Sequence, residues 1–170
     1  MKLNRFFVVT LLFFFLNLIN AYSQDKIVYI DLVLVLNNSN IGKSILKELE
    51  EVNNKNISDL KKKEIDLSKI ENNIKQKENI ISKENLEIEV NLLQEKIKKY
   101  RVYKNNLVSD FEKTKNEKLN KFFSQINPII QNYMNKNSIN ILLERKNVFI
   151  GKTDSDITNE IIKEINNNFE

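Results

Sequence analysis

The chain has 170 residues, with 27 Lys and Arg against 23 Asp and Glu, a formal charge of +4, and neither His nor Cys. The commonest metal ligands and the usual nucleophile–base pairs are therefore missing, and no disulfide can brace the fold. The remaining carboxylates, lysines and serines fall on repetitive helical faces, so no catalytic, metal or cofactor site is expected. The net charge is too small to argue for nucleic acid.

Residues 1–23 read as a secretory signal peptide. Lys2 and Arg5 make a basic start, Phe6 to Ile19 an apolar stretch of 14 residues, and Ala21-Tyr22-Ser23 a small-x-small cleavage site. The apolar run is shorter than the roughly 20 residues that span a bilayer. Export and cleavage near Ser23 are expected, which leaves 25 basic and 23 acidic residues in the mature chain.

Lys26 to Asp31 is a β-branched and aromatic run that suits a first strand, and Leu32 to Leu36 suits a short helix. The polar cluster Asn37 to Asn40 offers N-caps for a helix beginning near Ile41. From Lys43 to Asn127 there is neither Gly nor Pro, so long helices are expected there. Leu60, Leu67, Ile70, Ile74 and Ile81 form one narrow seam at helical spacing. Leu86, Val90, Leu93, Ile97, Tyr100, Lys104, Leu107 and Phe111 form a second, with steps alternating between four and three. The step from Ile81 to Leu86 breaks the rhythm, and Ser82 and Asn85 there favour caps or turns. An antiparallel hairpin with its tip near residues 79–85 is therefore preferred to one continuous rod. Tyr100, Tyr103, Phe111 and Phe122 are expected to pack the arm.

Asn127-Pro128 is expected to restart or kink the helix, and Asn137 to take a left-handed conformation after it. Ile139 to Leu143 and Val148 to Ile150 read as two strands joined by a hairpin turn at residues 144–147, and Asp156 as the cap of a final helix. The fold class is thus α+β, mainly α. Residues 24–40 and 138–170 form a β platform and residues 41–137 a helical arm. The platform has 50 residues, too few for a stable core alone, and its strand edges need covering, so it is expected to be completed by other copies. Ile27, Tyr29, Ile139, Ile141, Leu143, Val148 and Ile150 are the candidate association residues. Because the first strand precedes the helices and the others follow them, only a chain that doubles back brings them together.

Lys96, Lys98, Lys99, Arg101 and Lys104 make a basic stretch early on the second helix. It is either a solvated helix face or an attraction for acidic partners and anionic membrane surfaces.

The sequence resembles the Skp/OmpH family of periplasmic chaperones. The likeness rests on Ile27-Val28-Tyr29-Ile30-Asp31, Val35-Leu36, Ser39, Gly42-Lys43 and Leu49-Glu50, then Pro128-Ile129, Ile141-Leu142-Leu143-Glu144 and Asp156-Ile157-Thr158 with Glu160, Ile161, Ile162 and Ile165. It departs in lacking a Gly before the second strand and in having Glu144 where Asp is usual. The resemblance implies a homotrimer whose helical hairpins project from a shared β body. It also implies an ATP-independent holdase for unfolded outer-membrane proteins, with anionic membrane or lipopolysaccharide as a further candidate partner. The alternative is a structural coiled-coil adaptor of the cell envelope.

Overall fold

The computed structural model describes residues 25–169, and the signal-peptide reading of residues 1–23 lies outside them. Strand β1 (Ile27–Ile30) leads through Asp31 into helix α1 (Leu32–Asn38). Asp31 Oδ1 accepts the N–H groups of Val33 and Leu34, each at 3.0 Å, and so starts the helix where the strand stops. Ser39 is buried and ends α1, then caps α2 (Asn40–Lys77) by accepting the Gly42 N–H at 3.2 Å. This corner is tight. A Cβ on Gly42 would sit 2.0 Å from the Leu36 carbonyl oxygen, so the second helix can start there only with glycine.

The chain turns back between Glu78 and Ser82, and Ser82 caps α3 (Lys83–Lys136) by accepting the Asn85 N–H. Helices α2 and α3 run antiparallel, as three cross-helix pairs show. Lys118 meets Glu48 near the root, Tyr100 meets Glu64 midway, and Lys77 meets Glu89 near the tip. At 1.5 Å per residue α2 is about 57 Å long and α3 about 81 Å.

Helix α3 differs from expectation at Pro128, which neither restarts nor ends it. Ser124 and Pro128 are both exposed, so water can satisfy the carbonyl that the missing N–H frees. On the opposite side Ile126 and Ile130 are buried and hold the helix on its course. The left-handed residue after α3 is Ser138 (φ 53°), not Asn137, which stays at φ −104° with its side-chain amide donating to the Tyr133 carbonyl at 2.8 Å.

Strand β2 (Ile141–Glu144) pairs parallel with β1, Ile27 opposite Ile141 and Ile30 opposite Glu144. Ile139 precedes the strand and is buried in the core, its N–H bonded to the Met134 carbonyl, so it faces inward and is no part of an outer surface. The expected hairpin is also corrected: Arg145–Asn147 form a 3-10 turn, and Val148, Phe149 and Ile150 are not in a strand among the described residues. They join no ladder: the Val148 N–H turns back to the Arg145 carbonyl at 3.0 Å and Gly151 lies against the Tyr29 ring, while the edge of β1 away from β2 is bridged by Asp156, with the Ile157 N–H donating to the Tyr29 carbonyl at 3.0 Å. Helix α4 (Thr158–Asn168) closes the fold, and Asp156 Oδ1 accepts the N–H of Thr158, its first residue, at 3.0 Å.

The core joins Val28, Ile30, Val35, Ile157, Ile161 and Ile165 to Phe122, Ile126 and Ile130 from the root of α3, with Ile41 and Ile45 of α2 packed against them. The body thus recruits the roots of the helices. It is larger than the segments before and after them.

Candidate association face and arm groove

Side chains alternate across a strand, so Val28 and Ile30 point into the core while Ile27 and Tyr29 point away from it, beside Ile141 and Leu143 of β2. This outer face is apolar and partly bare. Ile27 is 48 % exposed, Ile141 44 % and Leu143 40 %, and β2 has no neighbour on its far edge among the described residues. The loop beyond continues the surface, with Phe149 98 % and Ile150 83 % exposed. Two apolar residues in water, in a loop that lies by Tyr29 and Arg145 on this face, enlarge a surface that expects a cover. Strand alternation selects Val148 and Ile150 and sets Phe149 on the opposite face, and only the loop seen here exposes all of its ring.

Tyr29 anchors this face. Its ring lies under the Arg145 guanidinium (5.3 Å to the ring centre), its hydroxyl donates to the Lys152 carbonyl at 3.2 Å, and Gly151 approaches so closely that a Cβ there would be 2.6 Å from the ring. Arg145 Nη1 also donates to Asp156 Oδ2 at 3.1 Å. Asp156 in turn receives the Thr158 hydroxyl at 2.5 Å, and that hydroxyl accepts the Asp31 N–H at 2.9 Å. Asp31, Asp156 and Thr158 therefore tie together the end of β1, the start of α1 and the start of α4, giving those motif residues a structural role.

On the arm, the seam residues of both helices are half-buried, and between Leu49 and Ile74 no residue of α2 is buried. The structure places Tyr103 in the seam and leaves Lys104 exposed. Tyr103 and Lys104 both satisfy a spacing of three or four from their neighbours, and the apolar ring wins the inward position. The nitrogen of Lys63 sits 4.6 Å from the Tyr103 ring centre, and the next residue, Glu64, accepts the Tyr100 hydroxyl. That carboxylate holds the Tyr100 hydroxyl protonated to above its ordinary value, chiefly through the hydrogen bond. Near the root, the bond from Lys118 at 2.5 Å holds the Glu48 carboxyl below its usual range, with Lys121 adding to the effect.

All five residues of the basic stretch are exposed. Lys96 and Lys99 line an inter-helix groove of about 380 Å³ with Tyr100 and Tyr103, opposite Lys63, Asp66, Leu67 and Ile70 of α2. Lys98 and Lys99 line a second groove of about 450 Å³ with Glu95, Val102, Tyr103 and Asn106. Arg101 and Lys104 line neither, so the structure gathers three of the five around Tyr103 and leaves two apart. Ile88, Leu92 and Val102 are also exposed apolar residues of α3, off the seam and not anticipated from its periodicity. Among the described residues no helix is long and apolar enough to cross a membrane.

Residues 26–165 match the family model of outer membrane protein (OmpH-like). Among solved structures, that of a candidate outer membrane chaperone (OmpH-like) from Caulobacter crescentus CB15 is similar, with a TM-score of 0.75 and 18 % identity over 86 % of each chain. At that identity the likeness establishes the fold. No curated protein matches the sequence.

Proposed function

The chain belongs to the OmpH-like outer membrane protein family, and on that premise we propose that it is a periplasmic holdase chaperone. It binds unfolded outer-membrane proteins and prevents their aggregation without ATP. It works as a homotrimer, reaching the periplasm through the leader at residues 1–23. The observation that carries this reading is the bare apolar face of Ile27, Ile141 and Leu143 beside the open edge of β2, at the base of a long, thinly packed arm. A face of that kind is covered by copies of itself, with the Val148–Ile150 loop of one copy serving the exposed edge of another. Closing the bodies against each other sets three arms around a common space.

Thin packing suits a holdase. An arm with half-buried seams and few buried residues bends at small cost and adapts to clients of different size. Client release then needs no chemistry, since folding of the client into its membrane removes it from the equilibrium. The exposed lysines of α3 draw acidic segments or the anionic membrane surface, lipopolysaccharide included, toward the arm by long-range attraction. Neither cofactor nor nucleic acid takes part.

The test measures size and activity together. The mature protein is expected to sediment as a trimer and, at one trimer per client and without nucleotide, to keep a urea-diluted outer-membrane β-barrel from scattering light. A monomer, or a trimer that leaves scattering unchanged, would transfer the protein to the class of envelope scaffolds.

A further inference from the structure

The middle of the arm is built differently from its ends. At the ends buried Leu49 and Ile74 hold α2, whereas between them the two helices leave the groove over Leu67, Ile70, Tyr100 and Tyr103. Its rim is charged asymmetrically. Asp66 is paired outside the groove with Lys69 at 3.6 Å, and Lys63 lies against Tyr103, but Lys96 and Lys99 have no carboxylate within 4 Å among the described residues. Six arm lysines, Lys62, Lys69, Lys75, Lys77, Lys115 and Lys118, each meet an acid, and Lys96 and Lys99 stand apart from the other unpaired ones, such as Lys113 and Lys121, in lining the groove over Leu67 and Ile70. The groove also does not end at Tyr103, because Tyr103 and Lys99 line the second groove as well. Two grooves meeting at one ring and one ammonium form an elongated track with apolar floor and unpaired positive charge.

We propose that this mid-arm track binds short extended peptide segments that carry acidic residues beside apolar ones, with Lys96 and Lys99 taking the carboxylates and Leu67, Ile70 and Tyr103 the apolar side chains. The inference rests on the holdase reading for the origin of the segment, an unfolded client. The shape favours a peptide over a compact anion: an extended chain advances about 3.3 Å per residue and places alternate side chains on one side, so it can put an apolar group on the floor and an acid on the rim in succession. The pairs Lys63–Tyr103 and Glu64–Tyr100 brace the groove from adjacent residues of α2, so a ligand that displaces them loosens the arm at its middle.

The chain contains no Trp, so a single Trp in a probe peptide reports alone when excited at long wavelength. Three synthetic peptides with one Trp and two Leu differ only in carrying Asp, Asn or Lys at their polar positions. At low salt the acidic peptide is expected to bind the full mature protein with a blue shift of its emission, about tenfold or more tighter than the Asn and Lys versions. The double substitution K96E/K99E, on two exposed positions, is expected to abolish that preference while helical signal and oligomer size stay unchanged; Lys113→Glu, elsewhere on the same helix, is expected to leave it intact. Equal binding of the three peptides, or unchanged binding by K96E/K99E, overturns the proposal. So does capture of phosphatidylglycerol vesicles through these lysines with no peptide bound, which makes the face a lipid contact. Suppressed client aggregation without peptide binding sinks the groove and spares the holdase. Acidic-peptide preference without suppression does the reverse.

Discussion

The body and the arm are built from the same helices yet are held together in different ways. Where α3 enters the body, Phe122 and Ile126 are wholly buried and meet Val35, Ile161 and Ile165, which are also wholly buried. About twenty residues further toward the tip, the same helix shows α2 a seam of half-exposed side chains bridged by the Tyr100 hydroxyl and, toward the two ends, by lysine pairs. Apolar burial scales with the area taken from water, so the body carries most of the stability and the arm little. The difference teaches that this chain concentrates rigidity in the body, beside the bare sheet face, and leaves compliance to the arm.

The comparison breaks most readily at Phe122. Phe122→Ala is expected to cost about 3–5 kcal/mol through the cavity it leaves, read as a lower urea midpoint, whereas Phe111→Ala on the half-buried seam should cost less than half as much. Equal losses would mean that arm and body form one cooperative unit.

Association should respond next. Ile141→Asp, on the bare face of the sheet, is expected to dissociate the proposed trimer in sedimentation, while Lys62→Asp on the exposed arm leaves it assembled. Gly42→Ala sharpens the body side: its methyl meets the Leu36 carbonyl, and overpacking of this kind costs about 1–3 kcal/mol, measured by thermal melting. On the arm side, Leu67→Ala should cost roughly 1 kcal/mol, half-burial giving about half the usual transfer gain, and should speed amide exchange in the arm but not in the body.

The smallest expected effect is electrostatic. Glu48 is held below its ordinary value of 4.5 by Lys118, so its contribution is fully present above that value and disappears as the pH falls through the lowered one. Tyr100 is displaced the other way by Glu64, so its contribution is present below about pH 10 and disappears as the pH rises through the raised value. Glu64→Ala is expected to bring forward, to lower pH, the tyrosinate absorbance of one residue. Both pairs are exposed, and added salt should shrink both effects.

Much of this arrangement was legible in the residues themselves. The seams show as steps of three and four, and the register break before Leu86 marks a turn, which the structure makes at residues 78–82 with Ser82 as the next cap. Asp31 and Ser39 are caps by chemistry as well as by position. The misreadings have physical causes. Val148–Ile150 has the composition of a strand, but the 3-10 turn at Arg145–Asn147, closed by the Val148 N–H on the Arg145 carbonyl, does not fold it back onto β2, whose far edge stays open among the described residues. Pro128 looks like a break, but a helix clamped on its far side by Ile126 and Ile130 passes through it. Tyr103 and Lys104 are equivalent in spacing, and only the approach of Lys63 from the facing helix shows which turns inward.

By itself the sequence determined the local order: strand, short helix, two long amphipathic helices, and a terminal strand and helix, since period, caps and breakers act within a few residues. Tertiary structure alone decided that β1 and β2 run parallel, that the roots of the arm belong to the core, and which lysines share a groove. Those features depend on residues more than a hundred positions apart, or on opposite helices, whose proximity arises only when the chain has doubled back.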